Sequence, residues 1–158
     1  MTDVQKSNAA LLTDIMLTVF RVNGRLLERG DELVKPLHLT SARWQVLGAV
    51  ALAGKAVSAP QIAEAMGITR QGAQKQLNRL EAEGFFERHT NPRHERSPLY
   101  TLTKQGTRAM TKAMALQGLW SAELVAGQTL KDLQTALRIL NVLYDRLDSP
   151  IPKKAFRE

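Results

Sequence analysis

Cysteine is absent from this sequence of 158 residues, so disulfides, thiolate metal sites, cysteine nucleophiles and thiol-based redox sensing are excluded together. No run approaches the roughly 18 consecutive apolar residues of a membrane-spanning helix. The opening stretch MTDVQKSNAALLTDIMLTVF carries acids where a secretion signal would want a basic region. A cytoplasmic chain without a membrane partner is expected. Catalytic signatures are missing too. The histidines are His38, His89 and His94, and no H-E-x-x-H, Walker loop or Gly-x-Ser-x-Gly arrangement occurs, so an enzyme is not expected. Glu87, His89 and His94 have zinc-compatible donors, but exposed residues of this kind are far more often solvated, and neither a metal nor a cofactor is expected.

The sequence does contain enough apolar residues, 44%, for one globular unit with a proper core. Its net charge of +7 is unevenly placed. Residues 1–54 carry six Lys/Arg against five acids, residues 55–112 ten against five, and residues 113–158 six against five. Basic charge gathered in the middle of a chain is the footprint of a polyanion-binding surface, because phosphate contacts by Lys and Arg release condensed counterions. A merely solvated surface has the same composition, so charge alone does not decide.

Periodicity divides the chain into helices. Leu12, Ile15, Met16, Val19, Val22 and Leu26 recur at steps of three and four and predict an amphipathic helix over about residues 8–29, stopping near Gly30. A second helix is expected in LTSARWQVLGAVALAG, with Thr40 or Ser41 as its cap and Gly54 as its breaker. Ser58 opens a short third helix with Pro60 in its first turn, and Gly67 closes it. Thr69 then caps a fourth helix.

In that fourth helix Arg70, Gln71, Gln74, Lys75, Gln76, Asn78 and Arg79 crowd into ten positions without an acid. At about 100° per residue, Ala73, Leu77 and Leu80 fall on one side, while Arg70, Gln71, Gln74, Lys75 and Asn78 fill an opposite arc of roughly 140°. Arg and Lys match guanine edges, and Asn and Gln match adenine edges, in the major groove. Two helices joined by a tight Gly-containing turn, the second with such a face, read as a helix-turn-helix. Gly72 permits close backbone approach at a cost of about 1 kcal/mol. An ordinary solvated helix face remains the competing reading.

The neighbouring residues favour the first. Gly84 ends the helix, FFERHT begins an extended run, and LYTLT forms a second. Between them Asn91-Pro92 and Ser97-Pro98 bracket a polar tip that projects Arg93, His94 and Arg96. A hairpin of this kind beside a recognition helix is a wing, and Arg is the side chain preferred in a narrow minor groove. A mobile basic loop would carry the same residues.

Through LTSARWQVLGAV, QIAEAMGITRQGAQKQLNRLEAEGFFER and NPRHERSPLYTLTKQG the chain resembles the MarR-type (multiple antibiotic resistance regulator) winged-helix transcription factors. Arg93, Arg96, Leu102, Thr103 and Gly106 fit that family's wing pattern. Asn91 and His94 stand where acids are common, which removes the carboxylate that orients Arg93 in the family and makes the tip more positive. The resemblance implies an obligate homodimer, double-stranded operator DNA as partner and a small-molecule effector, with repression relieved by that effector. DNA contacts are then expected from Thr69, Arg70, Gln71, Gln74, Lys75, Asn78, Arg93, His94 and Arg96.

The outer segments read as a dimerisation region. Thr103 caps a helix reaching about residue 126, with Met110, Met114, Trp120 and Leu124 along one side, and Gly127 breaks it. Thr129 and Asp132 have capping-box spacing. Leu130, Leu133, Leu137, Leu140, Tyr144 and Leu147 then recur at steps of three and four, a broader apolar stripe than one neighbour would cover. With Leu12 and Ile15 of the first helix, Leu130, Leu133, Leu137, Leu140 and Tyr144 are the expected dimer contacts. The fold expected is mainly α with a small β-hairpin wing. Residues 1–35 supply an N-terminal dimerisation helix, residues 36–102 a winged helix-turn-helix with recognition helix 69–83 and wing 85–102, and residues 103–158 the C-terminal dimerisation helices. Two other functions compete. A protein-interaction module predicts acidic or apolar interruptions on the recognition face, and these are missing; non-specific DNA binding does not account for the uncharged Gln71, Gln74 and Asn78.

Overall fold

The computed structural model describes residues 7–151; residues 1–6 and 152–158, the extreme ends of the two expected dimerisation segments, lie outside them. The chain divides into two compact units, residues 1–119 and 120–158.

Helix α1, Asn8–Val34, begins where the Ser7 hydroxyl accepts from the Ala10 N–H at 3.2 Å. It does not stop near Gly30. Gly30 is buried inside the helix because Ser41 packs on it: a Cβ there would collide with Ser41 Oγ, which donates to Leu27 O at 2.6 Å. The Ser41 N–H also donates to Asp31 Oδ1 at 2.5 Å. The glycine therefore marks a close approach between helices rather than a helix end.

A 3-10 turn, Lys35–Leu37, leads to His38, held in the left-handed region at φ 56°. Helix α2, Ser41–Ala53, is capped by Thr40 and ends at Gly54 in the left-handed conformation. Strand β1, Val57–Ser58, is a short element that periodicity did not disclose, since two residues carry no alternation. In helix α3, Ala59–Met66, Gln61 Oε1 accepts from both the Ser58 N–H at 2.9 Å and the Ser58 hydroxyl at 3.0 Å. Gly67 at φ 62° turns the chain into helix α4, Arg70–Ala82, whose N-cap is Thr69.

Strands β2, Phe86–His89, and β3, Leu99–Leu102, pair antiparallel with Phe86 opposite Leu102 and His89 opposite Leu99. β1 adds to the far side of β3, giving the order β1-β3-β2. Helix α5, Lys104–Leu124, starts where Thr103 Oγ1 accepts from the Gly106 N–H at 3.0 Å while donating to Gly84 O at 2.6 Å. Helix α6, Leu130–Leu147, follows Gly127 and is capped by Thr129, which accepts from the Asp132 N–H at 3.2 Å. The Thr129 hydroxyl donates to the Asp132 carboxylate at 2.5 Å, so the return bond of the expected capping box goes to the hydroxyl and not to the backbone.

The core of the first unit joins Val34, Leu39, Val46, Leu47 and Val50 to Ile62, Leu77, Leu80, Phe86, Tyr100 and Met110. It lies under α2, α3 and α4 and is closed by the sheet. Among the described residues no helix is long and apolar enough to cross a membrane.

Candidate nucleic-acid interface

Helix α4 is fixed from below. Ala73, Leu77 and Leu80 are fully buried, and α4 packs on α2 and α3 through this stripe. Each such side chain contributes about 1.5–3 kcal/mol by leaving water, apart from the smaller alanine, so the opposite face has one orientation. At the N-terminus Thr69 Oγ1 accepts from the Gly72 N–H at 3.0 Å. A side chain at position 72 would crowd that oxygen, so Gly72 serves the cap as well as leaving the backbone open.

Thr69, Arg70, Gln71, Lys75, Asn78 and Arg79 are exposed, as a solvent-facing arc requires. Gln74 differs from the expectation. It is half-buried, and its Nε2 donates to Asn78 Oδ1 at 2.7 Å and to the Tyr100 hydroxyl at 3.1 Å. Its amide is thus engaged within the protein, by a strand residue 26 positions away that no local pattern connects to it.

The C-terminal end of α4 is held by a residue the sequence reading passed over. Arg43 of α2 is buried, donates from Nη1 to His38 O at 2.9 Å and from Nη2 to Glu83 Oε2, and places its guanidinium 5.8 Å from the centre of the Phe85 ring. Glu83 is the C-cap of α4, and its other oxygen accepts from Arg79 Nε at 3.3 Å. Gln105 Nε2 adds a bond to Glu83 O at 3.1 Å. Burial first, and the nearby Arg79 charge second, lower the Arg43 pKa from its ordinary value. The available signal was one charged residue in the run ARWQVLGAV, but its partner stands 40 residues away.

The wing is an ordered turn. Asn91 Nδ2 donates to Ser97 O at 2.7 Å, and Asn91 Oδ1 accepts from the Arg93 N–H at 3.1 Å. The Ser97 N–H donates to His94 O at 2.8 Å. The Asn91 amide thus braces the backbone of the tip at Arg93 and Ser97 without adding a negative charge. Arg93, His94 and Arg96 are exposed on it. Arg88 Nε lies 3.3 Å from Glu81 Oε1, tying β2 to α4. His89 Nε2 is 2.7 Å from Thr101 Oγ1, and among the described residues no three His, Cys, Asp or Glu stand together in a metal-ligating group.

A helix whose outer face offers donors and acceptors, next to a hairpin with cations at its tip, defines a winged helix-turn-helix. The sequence profile of the MarR family matches residues 38–97, from the loop before α2 to the wing tip. An uncharacterized protein of Mycobacterium tuberculosis is 35% identical over 118 residues, covering 75% of this chain and 77% of its own length. A MarR family transcriptional regulator from a Rhodococcus species superposes with a TM-score of 0.74 at 23% identity, over 87% of this chain and 96% of its own. A mutant of Escherichia coli MarR complexed with operator DNA gives 0.72 at 22%, over 87% and 99%. These structures share the fold. The winged-helix segment, residues 38–97, thus carries the MarR family's sequence profile, and the chain as a whole has the fold of MarR family regulators.

Proposed function

We propose that this chain is a sequence-specific, double-stranded-DNA-binding regulator that acts as a homodimer on an inverted-repeat operator and represses until a small-molecule effector releases it. The observation that carries the reading is the two-sided α4: Ala73, Leu77 and Leu80 are buried without exposure, while Arg70, Gln71, Lys75 and Asn78 are presented to solvent. In this reading Thr69, Arg70, Gln71, Gln74, Lys75 and Asn78 occupy the major groove, and Arg93, His94 and Arg96 reach phosphates or the minor groove. The Escherichia coli MarR structure with operator DNA supports it, since the fold is shared.

Residues 36–102 would form the DNA-binding domain. Residues 1–35 and 103–158 would supply the dimer contacts, and two features support this. α6 has no buried residue, and Leu130, Leu133, Leu137, Leu140 and Tyr144 are all exposed. Independently, α1 exposes Leu11, Met16, Leu17, Phe20 and Leu26, beside half-buried Leu12 and Ile15. Cytoplasmic operation follows from a DNA partner. An open groove of about 300 Å³ in the first unit, where His38, Gln105, Arg108 and Lys112 surround apolar Pro36, Leu37 and Ala109, is a place for an anionic effector.

The test is a gel shift with DNA upstream of the protein's own coding region against random DNA, at several salt concentrations. Arg70→Ala is expected to lose about 1–3 kcal/mol of discrimination. Unchanged discrimination would remove Arg70 from the base contacts. Replacing Arg93 and Arg96 together with alanine should weaken binding to both DNAs and flatten the dependence of log K on log salt, because each lost phosphate contact takes about 0.9 from the slope. An unchanged slope would rule out the wing as a DNA contact.

A further inference from the structure

Beneath the recognition face lies a buried phenol. Tyr100 in β3 is fully buried, with its ring edge-on to Phe86 at a centroid distance of 6.4 Å. Its hydroxyl oxygen accepts from Gln74 Nε2 at 3.1 Å, and the same nitrogen donates to Asn78 Oδ1 at 2.7 Å. A primary amide nitrogen carries two hydrogens, and these two bonds use both. Gln74 then has its Oε1 left to offer a ligand, while Asn78, whose oxygen is engaged, presents both N–H groups of Nδ2.

We propose that Tyr100 sets the hydrogen-bonding polarity of the recognition face, making Gln74 an acceptor and Asn78 a donor. A free Asn or Gln reads adenine bidentately, giving one bond and taking one. Gln74 loses that mode because its donor is committed to the protein. Asn78 favours base edges that accept, guanine N7 and O6 or thymine O4. Tyr100 touches no DNA on this account and is a positioning residue that acts through Gln74. The wing strand and the recognition helix thereby share one hydrogen-bond network, so the register of the sheet bears on which bases are read. This rests on α4 being the base-reading helix.

Tyr100→Phe deletes the hydroxyl and keeps the ring. Wild type, Tyr100→Phe, Gln74→Ala and the double variant are compared on the site that the wild type selects from a randomised duplex library, and on every single-base-pair variant of that site. Tyr100→Phe should bind random DNA with the wild-type affinity and salt slope while losing about tenfold in discrimination at a position where the wild type prefers guanine or thymine. Gln74→Ala should lose as much, and the double variant no more. A purely structural role would weaken binding to random and selected DNA together. Tyr100→Phe with every wild-type base preference intact beside a defective Gln74→Ala, or losses that add in the double variant, would overturn the proposal and leave the function standing. A wild type that selects no sequence would overturn both.

Discussion

Leu137→Glu combined with Leu140→Glu is expected to give a folded monomer that no longer binds operator DNA. Both side chains lie on the exposed apolar face of α6, Leu137 at 61% and Leu140 at 44% exposure in the single chain, so the fold of one copy does not depend on them. In the proposed homodimer the same face is desolvated against the second copy. Carboxylates placed there face apolar groups or their own symmetry mates, at a cost of several kcal/mol. Loss of the dimer would also separate the two α4 helices, and affinity gained by linking two half-sites disappears with the link. Sedimentation and a gel shift on the same double variant measure both consequences. A dimeric variant with undiminished binding would show that α6 is not the interface.

Glu83→Ala should be more damaging than Arg43→Met, although both delete the same ion pair. Removing Glu83 leaves the buried Arg43 guanidinium with His38 O but no carboxylate, and Nε of that group already lacks a partner. An unpaired buried charge is the costly case, whereas Arg43→Met removes the buried charge itself and leaves a carboxylate that is partly exposed to water and still paired with Arg79. Glu83 is 38% exposed, so solvent screens part of the pair, and about 1–3 kcal/mol of lost stability is expected for Glu83→Ala. Since the Glu83 carboxylate joins Arg43 of α2 to Arg79 of α4, the same substitution should loosen the C-terminal end of α4 and reduce DNA affinity beyond its effect on stability. Thermal melting of the two variants gives the comparison, and an Arg43→Met protein less stable than Glu83→Ala would contradict this account of the pair.

What could be read from the sequence was local. Thr40, Ser58, Thr69 and Thr129 all stand at the helix starts where capping residues were expected, and Gly54, Gly67, Gly84 and Gly127 all have positive φ at turns. The buried stripe Ala73, Leu77 and Leu80 followed from a spacing of three and four. Gly30 was misread because a glycine that admits Ser41 and a glycine that ends a helix look alike until the packing partner is known. The same limit hid the Arg43–Glu83 pair and the Gln74–Tyr100 bond, whose partners lie 40 and 26 residues apart. Gln74 was expected to face outward with its neighbours, and the wheel placed it correctly in angle but gave no sign of the phenol beneath it. Asn91 shows the converse. Its departure from the family's wing pattern was plain in the sequence, while its bracing bonds to Ser97 and the Arg93 backbone required the folded turn.

The most direct measurement of the central claim is hydroxyl-radical footprinting of the wild-type protein on DNA that it selects. Two α4 helices related by a twofold axis enter successive major grooves only when their half-sites lie about one helical turn, 10–10.5 bp, apart. The account predicts two protected segments at that spacing, arranged as an inverted repeat. A single protected half-site without a symmetric partner, or even protection along any DNA offered, would contradict it.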